Sequence, residues 1–132
     1  MIISFLSNSE YPKISKLVNS VNLDEKIDFK CTFLYSADEK GNLRGVAGTN
    51  LTHNIPRFEH IIICTSDQKT SLGYRLMLAT EQMLKDKGFK FYVSYILKDN
   101  FKMRNYATKF GFKEYEKKEK GDWFVKNLGE NI

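Results

Sequence analysis

Residues equipped for chemistry gather in one stretch, CTSDQKTSLGYRLMLATEQML, which runs from Cys64 to Leu84. It begins at the end of an apolar run and finishes inside an amphipathic pattern. The segment between them, Gln68-Lys69-Thr70-Ser71-Leu72-Gly73, is short, polar and uncharged apart from Lys69. A strand that turns through such a loop into a helix creates a ready anion site. The N–H groups of the first helical turn have no partner within the helix, and the dipole adds partial positive charge there. A phosphate in that position calls for few acidic side chains and for a glycine where it touches backbone. The alternative is an ordinary strand–helix turn.

Other reactive side chains are sparse. Cys31 and Cys64 lie in separate strand-like runs without a C-x-x-C pair, and they read as free thiols in a reducing compartment, the cytoplasm. His53 and His60 have no companions at metal-ligand spacing, so no metal site is expected. The formal net charge is +5, and the basic cluster Lys113–Lys120 alternates with Glu114, Glu116 and Glu119, as on a solvated face. Some attraction to anions follows from the charge. No nucleic-acid recognition motif accompanies it, so nucleic acid is not an expected partner. No apolar run approaches the roughly 20 residues of a membrane span. The start, MIISFLSNSEYPK, has no positive region ahead of its apolar residues, which argues against a secretory signal. A length of 132 residues, 42% of them hydrophobic, fits one domain over 1–132 with a real core.

The elements that must position the loop can be read from periodicity. MIISFL reads as a first strand. Ile14, Leu17, Val18 and Val21 recur at helical spacing, with Pro12 in the first turn. Phe29–Ser36 is β-rich, Gly41 marks a hairpin turn, and LRGVAGTNL returns as the partner strand. Phe58–Thr65 is almost continuously apolar, as a strand covered on both faces is. A helix follows from about Ser71 to Lys87, with Leu72, Leu76, Ala79, Met83 and Leu84 as its buried stripe and Gly88 as its stop. Phe89–Leu97 is the next strand. Asp99 or Asn100 caps a short helix that ends at Gly111, and a hairpin turning at Gly121 closes the chain. The order β-α-β-β-β-α-β-α-β-β makes an α/β domain around a mixed, mostly antiparallel sheet with flanking helices.

With that order and that loop, the chain resembles the GNAT superfamily of N-acetyltransferases. The family's acetyl-CoA loop follows Q/R-x-x-G-x-G/A where the fourth strand meets the long helix. Gln68, Ser71 and Gly73 fall on those positions, with serine for the first glycine. The family's later pattern, an asparagine followed eleven residues on by Gly-Phe, matches Asn100 and Gly111-Phe112. The resemblance runs from about Leu43 to the C-terminus, and the first 40 residues match in element order alone. It implies a single-domain acyl-CoA N-acyltransferase fold with a splayed cofactor cleft between Phe58–Thr65 and Phe89–Leu97.

The resemblance also implies roles. Acetyl-CoA would be the cosubstrate, with pantetheine pairing to backbone near Ile61 and Ile63. An N–H there would polarise the thioester carbonyl. The loop from Gln68 through Lys69, Thr70, Ser71, Leu72 and Gly73 to Tyr74 would wrap the diphosphate, and Asn100 would hold the pantetheine arm. Lys69, Arg75 or Lys102 would meet the 3′-phosphate, or else remain surface charges. Family members often place a proton-donating tyrosine four residues before Gly-Phe, where this chain has Ala107. Tyr106 is its neighbour, about 100° round the helix. It is either the acid or a core residue. At the strand position where some members carry a catalytic glutamate, this chain has Tyr95, which lines an acceptor pocket or simply packs on the sheet. Glu59 is the candidate general base, with a pKa raised by its apolar flank if buried, or else a strand-end charge. Cys64 as a nucleophile lacks an assured histidine partner. The expected activity is acetyl transfer to an unidentified primary amine by direct attack. The substitution at Ala107 supports a second reading, a CoA-binding protein with little turnover. No motif names the acceptor, and both a monomer and a homodimer fit.

Overall fold

Apolar periods in the sequence set the elements. A computed structural model describes residues 2–129, and these form β1 (Ser4–Phe5), α1 (Pro12–Ser20), β2 (Thr32–Ala37), β3 (Leu43–Asn50), β4 (Arg57–Ile63), α2 (Leu72–Asp86), β5 (Phe91–Leu97), α3 (Phe101–Lys109), β6 (Lys113–Lys117) and β7 (Gly121–Asn127). The element order is the one read from the sequence; several bounds move for local reasons. β2 starts at Thr32 rather than Phe29 because Asp28 folds the chain back, accepting from Lys30 N at 3.0 Å. β4 ends at Ile63 rather than Thr65, since Thr65–Asp67 form a 3₁₀ turn. β5 starts at Phe91 rather than Phe89, because Phe89 N still bonds Leu84 O at 3.0 Å in the helix exit. Gly88 and Gly111 end α2 and α3 with φ of +88° and +103°, which a side chain would resist.

The sheet order is β1-β2-β3-β4-β5-β7-β6. All neighbours are antiparallel except β4 and β5, which run parallel. Each face has its own core. On one, α1 buries Ile14, Leu17 and Val18 against Phe33, Val46 and Ile62. On the other, α2 buries Leu72, Leu76, Met77 and Leu84 against Ala47, Phe58, Tyr92 and Ile96, and α3 adds Ala107. The predicted stripe on α2 omits Thr80 and Glu81, both buried. Glu81 tolerates burial because Tyr92 Oη donates to it at 2.6 Å and Lys126 Nζ lies 2.8 Å away. Among the described residues, no helix is long and apolar enough to cross a membrane.

The α1 core draws on β2, β3 and β4 and reaches none of β5, β6 or β7. On that side Tyr95 and Leu97 of β5 are exposed, whereas Tyr92 and Ile96, opposite by alternation, are buried. Between α1 and β2 the chain runs irregularly, and buried His60 fastens it down. Asp28 N donates to His60 Nε2 at 3.0 Å, and His60 Nδ1 bonds the Glu25 carboxylate. Asn50 Nδ2 donates to Asp28 Oδ2 at 2.9 Å.

Candidate active site

β4 and β5 share a single register pair, Arg57 with Val93, and then part. Val93 N donates to Pro56 O at 3.0 Å, and Ser94 Oγ donates to Phe58 O at 3.2 Å, just above that junction. Beyond it lies the cleft expected from the sequence. Its β4 wall has a defined hydrogen-bonding sense. Cys64 N donates to Arg44 O at 2.8 Å, and the register pairs Val46 with Ile62. Antiparallel pairs alternate in hydrogen bonding, so the main-chain groups of Ile61 and Ile63 point away from β3 and into the cleft. Ile63 O is taken by Gln68 Nε2 at 3.1 Å. This pins the loop to the strand end and leaves Ile61 N, Ile61 O and Ile63 N facing the gap.

At the cleft's open end stands the N-terminus of α2, with Ser71 at the N-cap making no side-chain cap. Thr70 N bonds Asp67 O at 3.1 Å, and Leu72 N donates to Thr70 Oγ1 at 3.3 Å. Thr70 and Leu72 therefore spend their amides inside the loop, as does Gln68, whose N donates to Thr65 O at 3.4 Å. Among the described residues, the N–H groups of Lys69, Ser71, Gly73 and Tyr74 have no acceptor. These amides and the helix dipole make a cradle of partial positive charge. The Cα–H of Gly73 faces β4: a Cβ there would stand 3.9 Å from Ile61 Cδ1 and 3.9 Å from Ile63 Cγ1.

One acidic residue underlies this cradle. Asp67 is 5% exposed and takes a two-point bond from Arg44, Nε to Oδ2 at 2.9 Å and Nη2 to Oδ1 at 2.6 Å. The guanidinium, then the Cys64 thiol at 3.1 Å, hold the Asp67 pKa down at about 2. Across the cleft, Asp122 is held at about 2 by Lys98 Nζ at 2.7 Å and by Arg104 Nη1 at 2.8 Å, which ties β7 to α3. A carboxyl depressed in the folded state contributes stability above its unfolded pKa, about 3.9, and loses that contribution as the pH falls through the folded value. Thermal melts should therefore show the midpoint dropping steeply from about pH 4 to pH 2. Asp67→Asn should cost about 2–3 kcal/mol at neutral pH and flatten that acid limb. Cys64, whose thiol donates to Asp67, has no histidine among its hydrogen-bond partners. It joins the clamp and does not form a nucleophilic dyad.

Asn100 caps α3, its Oδ1 accepting from Met103 N at 3.2 Å. Its side-chain oxygen is thus committed to the helix cap, which leaves the amide nitrogen as the group its expected role would use. Lys69, Arg75 and Lys102 are all exposed. Glu59 has no partner on β3: the register passes from Gly48–His60 to Thr49–Phe58, so Glu59 is the extra residue of a β-bulge. The bulge turns it out into solvent, so of the two settings open to it Glu59 has the exposed one.

Tyr95 is 40% exposed and packs on Trp123 with ring centroids 5.2 Å apart, on the face that α1 leaves uncovered. Tyr106 is different. Its ring stacks on Phe110 at 6.0 Å, and its hydroxyl is buried with no partner among the described residues. Burial, with Tyr74 nearby, pushes its pKa up. Ala107 beside it is fully buried while Tyr106 is half-buried, and the enclosed hydroxyl favours the core reading of Tyr106 over the acid one. Tyr106→Phe should keep full thiol-release activity and a melting temperature at or above that of the parent, since an unmet buried hydroxyl costs about 1–3 kcal/mol.

Sequence reasoning missed Arg57. Its guanidinium lies 5.1 Å from the Trp123 ring centroid, in a cleft of about 420 Å³ lined also by His53, Val93, Tyr115, Glu116 and Lys118. The only sequence signal was a lone arginine at a strand entrance.

No family sequence model matches the chain, and no curated protein matches it in sequence. Its structure has many counterparts. The PaiA N-acetyltransferase of Thermoplasma acidophilum, in complex with coenzyme A, superposes with a TM-score of 0.76 at 14% identity, over 96% of this chain and 99% of that one. The ribosomal-protein-S18-alanine N-acetyltransferase of Escherichia coli gives 0.76 at 15% identity, over 99% and 97%. A GNAT family acetyltransferase from Elizabethkingia anophelis with acetyl-CoA bound gives 0.75 at 13% identity, over 96% and 97%. A sheet split after one bridge, an amide-lined cleft and this likeness across the whole length agree on one architecture: the chain has the α/β fold of the GNAT superfamily of acyltransferases.

Proposed function

We propose that this chain binds acetyl-CoA in the β4–β5 cleft and catalyses acetyl transfer to a primary amine by direct attack. The observation that carries the reading is the unpaired β4 edge at Ile61 and Ile63, leading straight into the free amides of Lys69, Ser71, Gly73 and Tyr74. An extended amide-bearing arm fits the edge as an added strand, and a diphosphate fits the cradle. Counterparts crystallised with coenzyme A or acetyl-CoA support the same cosubstrate.

The chemistry forms a C–N bond and breaks the thioester C–S bond. Glu59, exposed on its bulge, takes the ammonium proton directly or through water and releases the free amine for attack. Ile61 N–H donates to the carbonyl oxygen as negative charge develops on it. With Ala107 in the tyrosine position and Tyr106 buried, water protonates the departing thiolate, whose low basicity makes a dedicated acid dispensable. Tyr95 lines the acceptor side. The two free thiols suit a reducing, cytoplasmic location. Alternating Lys113, Glu114, Glu116 and Lys117 protect the β6 edge from strand addition, which favours a monomer.

Calorimetry with coenzyme A and thiol release from acetyl-CoA across an amine panel test this together. Binding with amine-dependent thiol release is expected, and absence of coenzyme A binding would refute the reading. The second reading, a coenzyme A-binding protein without turnover, draws its support from Ala107. Tight binding with no release from any amine would select it.

A further inference from the structure

Where β4 and β5 part, the open face of the sheet holds a cationic pocket. Arg57 enters it from β4, backed by Trp123, the chain's one tryptophan. Val93 forms the floor, and Tyr115 and residues His53 to Ile55 form the rim. Among the described residues, the Arg57 guanidinium has neither a hydrogen-bond partner nor an ion-pair partner. Glu116, the one carboxylate of the lining, is engaged by Lys118 at 2.9 Å. Nearby Asp122 is committed to Lys98 and Arg104. An arginine set over an indole has its N–H groups uncommitted, and the aromatic backing removes water from one side of the group. That geometry suits two-point bonding to a planar anion. The same pocket disfavours polyamines, whose second cation would meet the unpaired Arg57, since Lys118 and Glu116 offset each other. Glu59, on the bulge just past Arg57, stands between this pocket and the β4 edge at Ile61.

We infer that Arg57 selects the acceptor, and that the acceptor is a primary amine carrying a carboxylate at its other end, separated by an apolar or aromatic spacer. The inference rests on the acetyl-transfer reading for the amine, while the anion preference rests on Arg57 and Trp123 themselves. Two measurements keep these apart. The first uses fluorescence of Trp123 in the coenzyme A-saturated protein, titrated with 4-(aminomethyl)benzoate, 4-(aminomethyl)phenylphosphonate, benzylamine and spermidine. The benzoate should bind about tenfold or more tighter than benzylamine, with spermidine weakest. Arg57→Gln should erase that difference while leaving coenzyme A affinity unchanged, and Arg57→Lys should retain part of it. The second compares kcat and KM for thiol release with the benzoate and benzylamine. The Gln variant should raise KM for the benzoate about tenfold and leave benzylamine unaffected. Equal binding of benzoate and benzylamine, stronger binding of spermidine, no saturable response to either anionic probe, or a preference that survives Arg57→Gln would each overturn the inference. A phosphonate that outcompetes the benzoate would overturn the carboxylate assignment. Selective binding without thiol release would leave Arg57's role standing and defeat only the transfer reading.

Discussion

Gly73→Glu is expected to abolish coenzyme A binding in a protein that still folds. The substitution falls in the first turn of α2, where glycine is a poor helix residue and a carboxylate is favoured by the dipole. A Cβ at Gly73 makes only ordinary contacts, 3.9 Å from Ile61 and Ile63, so stability should be equal or slightly higher. The same carboxylate then lies over the amides of Lys69, Ser71 and Gly73 and competes with a diphosphate for them. Like charges so placed cost several kcal/mol, so calorimetry should record a loss of affinity of about 100-fold or more. Gly73→Ala, which adds a methyl and no charge, should lose about tenfold at most. A folded Glu variant with parental affinity would mean that the α2 N-terminus does not hold the diphosphate.

Glu59→Gln should lower kcat/KM by about 100-fold at neutral pH, within the range for loss of a general base, and leave coenzyme A affinity unchanged. The replacement keeps shape and hydrogen-bonding capacity on an exposed bulge, so folding is not at stake. The deficit should shrink as the pH approaches the acceptor's own pKa, because the amine then arrives already deprotonated. A binding or packing role for Glu59 would give a deficit that does not vary with pH. Retention of the parental rate at neutral pH would remove Glu59 from the chemistry.

Local signals in the sequence were reliable. Helical spacing in α1, the apolar run of β4, Gly88 and Gly111 after the helices, and a cap at Asp99 or Asn100, which proves to be Asn100, each depend on a few neighbouring residues. The loop was legible as a free helix end with its own chemical preference, whereas the cleft came from the resemblance carried by Gln68–Gly73, Asn100 and Gly111-Phe112. What escaped was pairing across distance. Arg44 finds Asp67 from an adjacent strand, Lys98 and Arg104 converge on Asp122, and His60 secures Asp28 and Glu25. No spacing rule announces such partners. The bulge at Glu59 depends on the register of β3, so FEHIIIC alone left its exposure open. Arg57 gained its meaning only when Trp123, far along the chain, came to lie beneath it.

The lone rung between Arg57 and Val93 has a mechanical consequence. The sheet is continuous, but between β4 and β5 it has little main-chain stitching, and α2 holds the two sides together by packing on Ala47 and Phe58 on one and on Tyr92 and Ile96 on the other. A ligand that lies in the seam and bonds to β4 acts as a rivet. An arm bound there would add main-chain bonds along the one line of the sheet that side-chain packing otherwise holds alone.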